Sequence, residues 1–187
     1  MPIDPKRDKQ LFENEWLSIY ERDGWYIIAD ESRCQDGQLI GLLIFTRDIA
    51  GNIDKVLGRY EYDHVTGEKG TTLTSVTGGV DHGSTPIESA LEEMAQEAGY
   101  YLTEEDLVPL GTFEPSKAMT TVMHLYGFDA TGMEDMRREE AEGDGTEGED
   151  GAFCEWVEMV PDIINMNSPV NHVALLRLSQ HDIDNKL

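Results

Sequence analysis

Cations are scarce in this chain. Of its 187 residues, 14 are Lys or Arg and 38 are Asp or Glu, for a formal net charge of -24. A surface of that sign repels phosphate backbones and anionic bilayers, so neither nucleic acid nor membrane is an expected partner. An anionic small molecule is still admissible if a cation bridges it to the protein. The plainer reading of the charge is solubility, as in a salty cytoplasm. Cysteine is scarce too. Cys34 and Cys154 are the two, too few for a disulfide framework and without zinc-ligand spacing. A reducing, cytoplasmic setting is therefore the expectation. Long apolar runs are absent. The longest, residues 39–45, has the length of a strand and falls far short of the ~20 residues that cross a bilayer. Residues 1–10 lack the apolar core of a signal peptide.

What is present suits one folded domain. Hydrophobic residues make up 39% and charged residues 28%, near the values of ordinary globular chains. No internal repeat or linker divides residues 1–187. The N-terminal part, 1–36, reads as strands. Trp16 to Tyr20 and Trp25 to Ala29 flank Asp23-Gly24, and an Asp-Gly pair between apolar runs predicts a β-hairpin. Residues 39–46, 55–62 and 71–77 are further strand candidates, the last running into Gly78-Gly79. Residues 107–113, 121–128 and 153–160 follow as strands. Residues 129–151 are rich in Glu, Asp and Gly and read as a solvated acidic loop, with a short helix admissible over 133–142. Pro161 starts a short helix, and Ser168-Pro169 opens a last one through Leu178. Strands first and helices later predict an α+β fold.

One helix stands out, over residues 86–98. Thr85 can cap its free amides, Pro86 suits its first position and Glu88 completes a capping box. Gly99 closes it. Ile87, Leu91, Met94 and Ala98 recur at helical spacing as the buried stripe. The opposite face carries Glu88, Glu92, Glu93, Gln96 and Glu97. Glu93 and Glu97 are one turn apart and repel each other. They lie where the helix dipole gives no relief. A hard cation relieves them, because Mg²⁺ takes carboxylates, water and phosphate oxygens together. A solvated acidic face is the bland alternative.

The segment from Gly78-Gly79-Val80-Asp81-His82-Gly83-Ser84 through Glu92-Glu93-Met94-Ala95-Gln96-Glu97-Ala98-Gly99-Tyr100 resembles the Nudix box. That box reads Gly, five residues, Glu, seven residues, Arg-Glu, an apolar residue, any residue, Glu-Glu, any residue, Gly, apolar. The spacing from Gly78 to Gly99 matches without a gap. Arg59-Tyr60-Glu61 before the box and Leu110-Gly111-Thr112-Phe113-Glu114-Pro115-Ser116 after it are similar to the ADP-ribose pyrophosphatase branch. Three positions depart from the pattern. Ser84 stands for the first Glu, Glu92 for the Arg and Gln96 for the first of the Glu pair. In the family that first Glu and the Arg form a salt bridge. Losing both partners together strands no buried charge.

The resemblance implies a Nudix fold: a mixed β-sheet core (37–180) sandwiched between helices, α/β/α, with an N-terminal β-hairpin and the acidic loop at 129–151. It implies that Glu93 and Glu97 are the principal ligands of Mg²⁺ or Mn²⁺. Gln96 is then a weak neutral third ligand, and the Thr77 carbonyl a further oxygen. Arg59, Gly78 and Gly79 fall at substrate-binding positions. A general base comes from the acidic loop, with Glu149 placed beside Glu147 and Asp150 as candidates. The implied activity is metal-dependent hydrolysis of the pyrophosphate bond in a nucleoside diphosphate linked to another group, ADP-ribose or a nucleotide sugar foremost. The implied assembly is a homodimer through the N-terminal strands. The competing reading is a catalytically impaired Nudix domain that binds a nucleotide or a partner protein. Outside the box, His124 and Cys154 read as packed residues, His82 as a polar loop side chain, and Trp25 and Trp156 as core or interface groups.

Overall fold

The computed structural model describes residues 3–15, 17–31, 34–63, 68–138, 152–159 and 168–185. The short helix expected from Pro161 lies outside them, as does the acidic segment from residue 139 to 151.

A small N-terminal sheet comes first. Strands β1 (Asp8–Glu13), β2 (Leu17–Arg22) and β3 (Tyr26–Glu31) are antiparallel and lie in that order. The expected hairpin is the β2–β3 half, turned by Asp23 and Gly24, both at positive φ (54° and 79°). The structure adds β1, so the expected hairpin is a three-stranded sheet. Its sequence Asp-Lys-Gln-Leu-Phe-Glu lacks an alternating apolar face, and nearly every residue in it is exposed. Period-two patterning therefore gave no signal. What fixes β1 is charge. Asp8 lies opposite Arg22 in the register, and Arg22 donates to both Asp8 oxygens, at 2.6 Å from Nε and 2.5 Å from Nη2. Both side chains are buried.

The main sheet has seven strands. Its path is β10 (Phe153–Glu158), β5 (Ile53–Asp63), β4 (Gln38–Arg47), β9 (Val122–Asp129) and β8 (Val108–Phe113). β6 (Glu68–Thr74) pairs with β5, and β7 (Val76–Gly79) pairs with β4. β4 and β9 run parallel and the other pairings are antiparallel, so the sheet is mixed. β4 shows how the two faces are filled. Ile40, Leu42 and Ile44 join a core with Ala90 and Met94 of helix α1 (Pro86–Gln96) and with Ala98 just past its end. Leu43 and Phe45 point the other way, to Val170, Ala174 and Leu178 of helix α2 (Pro169–Asp184). The run is apolar throughout because both faces are covered, as in any strand between two helical layers. Gly41 keeps α2 close: a Cβ there would sit 2.5 Å from Val170 Cγ1. The expected helix–sheet–helix sandwich is the architecture found. α2 runs six residues past Leu178, its last fully buried residue, through an exposed turn that left no apolar stripe to read.

The small sheet is tied to the large one by backbone. The Ala29 amide donates to the Ala118 carbonyl (2.7 Å), the Thr120 amide to the Ala29 carbonyl (3.0 Å) and the Tyr26 hydroxyl to the Lys117 carbonyl (2.6 Å). The β8–β9 connection thus crosses to β3.

The hydrogen bonds from Arg22 hold the Asp8 carboxyl down to about 2. A carboxyl depressed on folding contributes stability that is complete above its ordinary range and is lost as pH falls toward the folded value. A carboxyl-detected NMR titration should place the Asp8 midpoint near 2. In Arg22→Gln that midpoint should return to the ordinary carboxylate range, and the N-terminal sheet should lose its extra acid sensitivity.

Candidate functional site

The helix α1 starts as its sequence dictates. Thr85 Oγ1 accepts from the Glu88 amide, and Glu88 Oε2 accepts from the Thr85 amide at 2.8 Å. Its end is two residues earlier than expected. Glu97 is the C-cap residue, with its amide still donating to the Glu93 carbonyl (2.9 Å), and Gly99 turns the chain at φ 76°. The Tyr100 amide then reaches back to the Met94 carbonyl at 2.8 Å. Both ends of the helix are therefore fixed by local hydrogen bonds.

Glu93 lies directly on the backbone of β7. A Cβ built on Gly78 would stand 1.8 Å from Glu93 Oε1 and 2.4 Å from its Cδ. The carboxylate occupies the space that any other residue would fill. Gly79 is bare for a different reason: a Cβ there would meet Cys34 Sγ at 2.5 Å. Thr77, Gly78 and Gly79 form the strand β7 against residues 39–41 of β4. The structure thus brings Glu93 and the Gly78 backbone together.

Glu97 faces a cation already. Arg59 Nη1 is 2.6 Å from Glu97 Oε1, with side-chain exposures of 7% and 6%. Arg59 Nε lies 3.5 Å from Glu61 Oε2. The alternation of β5 explains the placement. Leu57 packs in the core beneath α1, and Arg59 and Glu61 follow on the same face. Across the sheet Arg59 pairs with Thr74 of β6 and Cys154 of β10. Cys154 Sγ donates to the Glu97 carbonyl at 3.4 Å. Burial pushes its thiol up to about 11, which leaves it protonated and fits the expected packing role.

Gln96 is turned elsewhere. Its Nε2 donates to Glu92 Oε1 at 3.1 Å on the exposed side of the helix. Two of the departures from the box thus bond to each other. Ser84 sits in the loop, its amide donating to the Asp81 carbonyl at 3.1 Å. Glu147, Glu149 and Asp150 lie outside the described residues. Among the described residues no group of three or more His, Cys, Asp or Glu side chains gathers as a metal cluster. The donor set at the helix is all oxygen: two carboxylates one turn apart and the backbone of β7. Such a set fits one hard cation of the Mg²⁺ kind. It does not by itself assemble a site for several.

The other expected residues are as follows. His124 is hydrogen-bonded to Gln38 Oε1 at 3.0 Å, and burial lowers its pKa. His82 is exposed in the loop. Trp156 packs against the α1 core, and Trp25 is 77% exposed. Sequence reasoning missed the Arg59–Glu97 pair. The signal was available: Arg59 is a rare cation at a position whose strand parity matches Leu57.

No family model matches the chain, and no curated protein matches it in sequence. Solved structures do match in shape. An ADP compounds hydrolase aligns over 92% of this chain and 90% of its own, at 14% identity and a TM-score of 0.59. A mutT/nudix family protein from Listeria innocua aligns over 82% of this chain and 98% of its own, at 15% identity and a TM-score of 0.53.

Gly78→Ala should push the flexible end of Glu93 aside and cost about 0.5–1.5 kcal/mol, the range for a side chain forced off its rotamer. Urea unfolding measures it. In a Glu93→Ala background the same change should cost much less, because the atoms it meets are gone.

The likeness to these structures is one of fold: the chain is folded as a Nudix protein.

Proposed function

We propose that this protein is a metal-dependent pyrophosphohydrolase acting on a nucleoside diphosphate linked to a second group, ADP-ribose or a nucleotide sugar. The observation that carries the reading is the contact of Glu93 with the bare Cα of Gly78, with Glu97 one turn along the same helix. It occurs in a fold shared with an ADP compounds hydrolase.

In this reading Glu93 and Glu97 hold Mg²⁺ or Mn²⁺ with the Thr77 carbonyl, and Gln96 contributes at most a neutral oxygen. The cation, when bound, shares the phosphate oxygens and makes water a better nucleophile. The chain's own residues do the rest. In this reading Gly78 and Gly79 fall at substrate-binding positions, their Cα faces already covered by Glu93 and Cys34. Arg59 supplies positive charge to the pyrophosphate in a protein of net charge -24. Glu149, with Glu147 and Asp150 beside it in sequence, takes the proton of the attacking water. Leu11, Phe12, Trp25 and Ile27 are exposed on the N-terminal sheet, and this apolar surface supports a homodimer. No described helix is long and apolar enough to cross a membrane.

A second reading is favoured by two specific contacts, Gln96 with Glu92 and Glu97 with Arg59. It is a Nudix domain that binds a nucleotide without cleaving it.

Incubation with ADP-ribose and millimolar Mn²⁺, with AMP as the readout, tests the choice. Turnover is expected. Glu93→Gln should lower kcat by more than the roughly hundredfold that even outer-shell metal partners cost, with the circular dichroism unchanged. Glu93 is the cleaner variant, because removing Glu97 leaves Arg59 buried without its carboxylate. Binding of nucleotide with no turnover across a panel of nucleoside diphosphate derivatives would select the second reading.

A further inference from the structure

We propose that Arg59 is an exchangeable counter-ion, holding Glu97 while no metal is present and passing to an anionic ligand when a divalent cation takes Glu97. The inference rests on the reading of Glu97 as a cation ligand. It goes beyond that reading by coupling the two binding events. The Arg59–Glu97 contact is 2.6 Å long, and both side chains are under a tenth exposed. A buried carboxylate cannot be left alone without a large penalty, so something positive must face Glu97 at all times. In the structure that group is a guanidinium.

A divalent cation at Glu97 reverses the problem. It supplies the carboxylate with charge and repels the guanidinium beside it. Arg59 then becomes the buried charge in need of a partner. Glu61 Oε2 is 3.5 Å from Arg59 Nε, on a side chain that is 39% exposed. The arginine therefore sits between an inner carboxylate and an outer one, with a direction in which to turn. A diphosphate arriving with the cation offers Arg59 a stronger acceptor, because guanidinium binds phosphate oxygens in a fork. Each ligand alone binds at a disadvantage. The cation alone must displace Arg59 into weak company, and the diphosphate alone meets an acidic surface with Arg59 engaged by Glu97. Bound together, each removes the other's obstacle, which is positive coupling between the two sites.

Calorimetry and thermal melting of the full chain test this. The probes are Mn²⁺ and α,β-methylene-ADP, a diphosphate that resists hydrolysis. In the wild type the Kd for Mn²⁺ should tighten at least about tenfold when the analogue is present, within the usual range of coupling between sites. Arg59→Gln should melt lower without metal, be raised by Mn²⁺ alone, and bind Mn²⁺ alone more tightly than the wild type does. The analogue should then add little to its Mn²⁺ affinity. Arg59→Gln combined with Glu97→Gln should recover the metal-free melting temperature and lose the Mn²⁺ response. That double variant keeps the test readable if Arg59→Gln alone folds poorly. A purely structural Arg59 would change the melting temperature and leave Mn²⁺ affinity untouched. Equal Mn²⁺ affinity in wild type and Arg59→Gln overturns the exchange, even if ADP-ribose is hydrolysed and the hydrolase reading stands. Absence of turnover with tighter Mn²⁺ binding in Arg59→Gln overturns the hydrolase reading and upholds the exchange.

Discussion

A carboxylate resting on a bare Cα sets the geometry of this molecule's most distinctive face. Because Gly78 has no side chain, α1 packs close enough to β7 for Glu93 to occupy the missing Cβ position. That proximity fixes the helix over the sheet. From there the rest follows in order. Met94, Ala90 and Ala98 meet Ile40, Leu42 and Ile44. Glu97, one turn beyond Glu93, is brought down onto β5 and into contact with Arg59. A side chain at position 78 would have to push the Glu93 carboxylate off the β7 backbone, since Glu93 side-chain atoms are what it would meet.

The scarcity of basic residues gives their placement weight. Arg22 closes the N-terminal sheet on Asp8. Arg47 joins the end of β4 to Asp129 of β9 at 3.0 Å and to Asp182 of α2 at 2.9 Å. Arg177 of α2 donates to the carbonyls of Leu110 and Thr112, at 2.9 and 2.6 Å, across the irregular step in β8 at Gly111. Each of these arginines therefore bridges separate segments of chain. Arg59 does the same between β5 and α1, but its partner belongs to the acidic pair on which a cation would sit. In a chain of net charge -24, this arginine spends its charge on protein carboxylates.

The parts of this arrangement that were legible in the sequence are those with a period or a cap. Thr85, Pro86 and Glu88 announce the start of α1, and Gly99 its end, because capping is local chemistry that needs no tertiary partner. The apolar β4 and the 3.6-residue stripe of α1 likewise declare which faces are buried. β1 was illegible because what fixes it is an ion pair with Arg22, fourteen positions along the chain, not an apolar face. The Arg59–Glu97 pair was obscured for a related reason. Its two residues lie on β5 and at the C-cap of α1, and only the packing of helix on sheet brings them together. The motif order places Arg59 at a substrate-binding position, and in the structure it lies beside the carboxylates of Glu97 and Glu61.

The glycine loop ahead of α1 is steadied at both ends of the helix by short-range bonds. Glu88 returns to Thr85 at the N-terminus. Gln35 Oε1 accepts from the Gly83 amide at 2.8 Å and ties the loop to the start of β4. At the far end the Arg138 amide donates to the Gly99 carbonyl at 3.1 Å. Glu92 accepts from Gln96 on the outer side of α1. An amide one turn from a carboxylate makes this bond where a second carboxylate would be repelled. Gln96 and Glu92 thus lie on the outer side of the helix, while Glu93 and Glu97 are the two carboxylates pressed against β7 and β5.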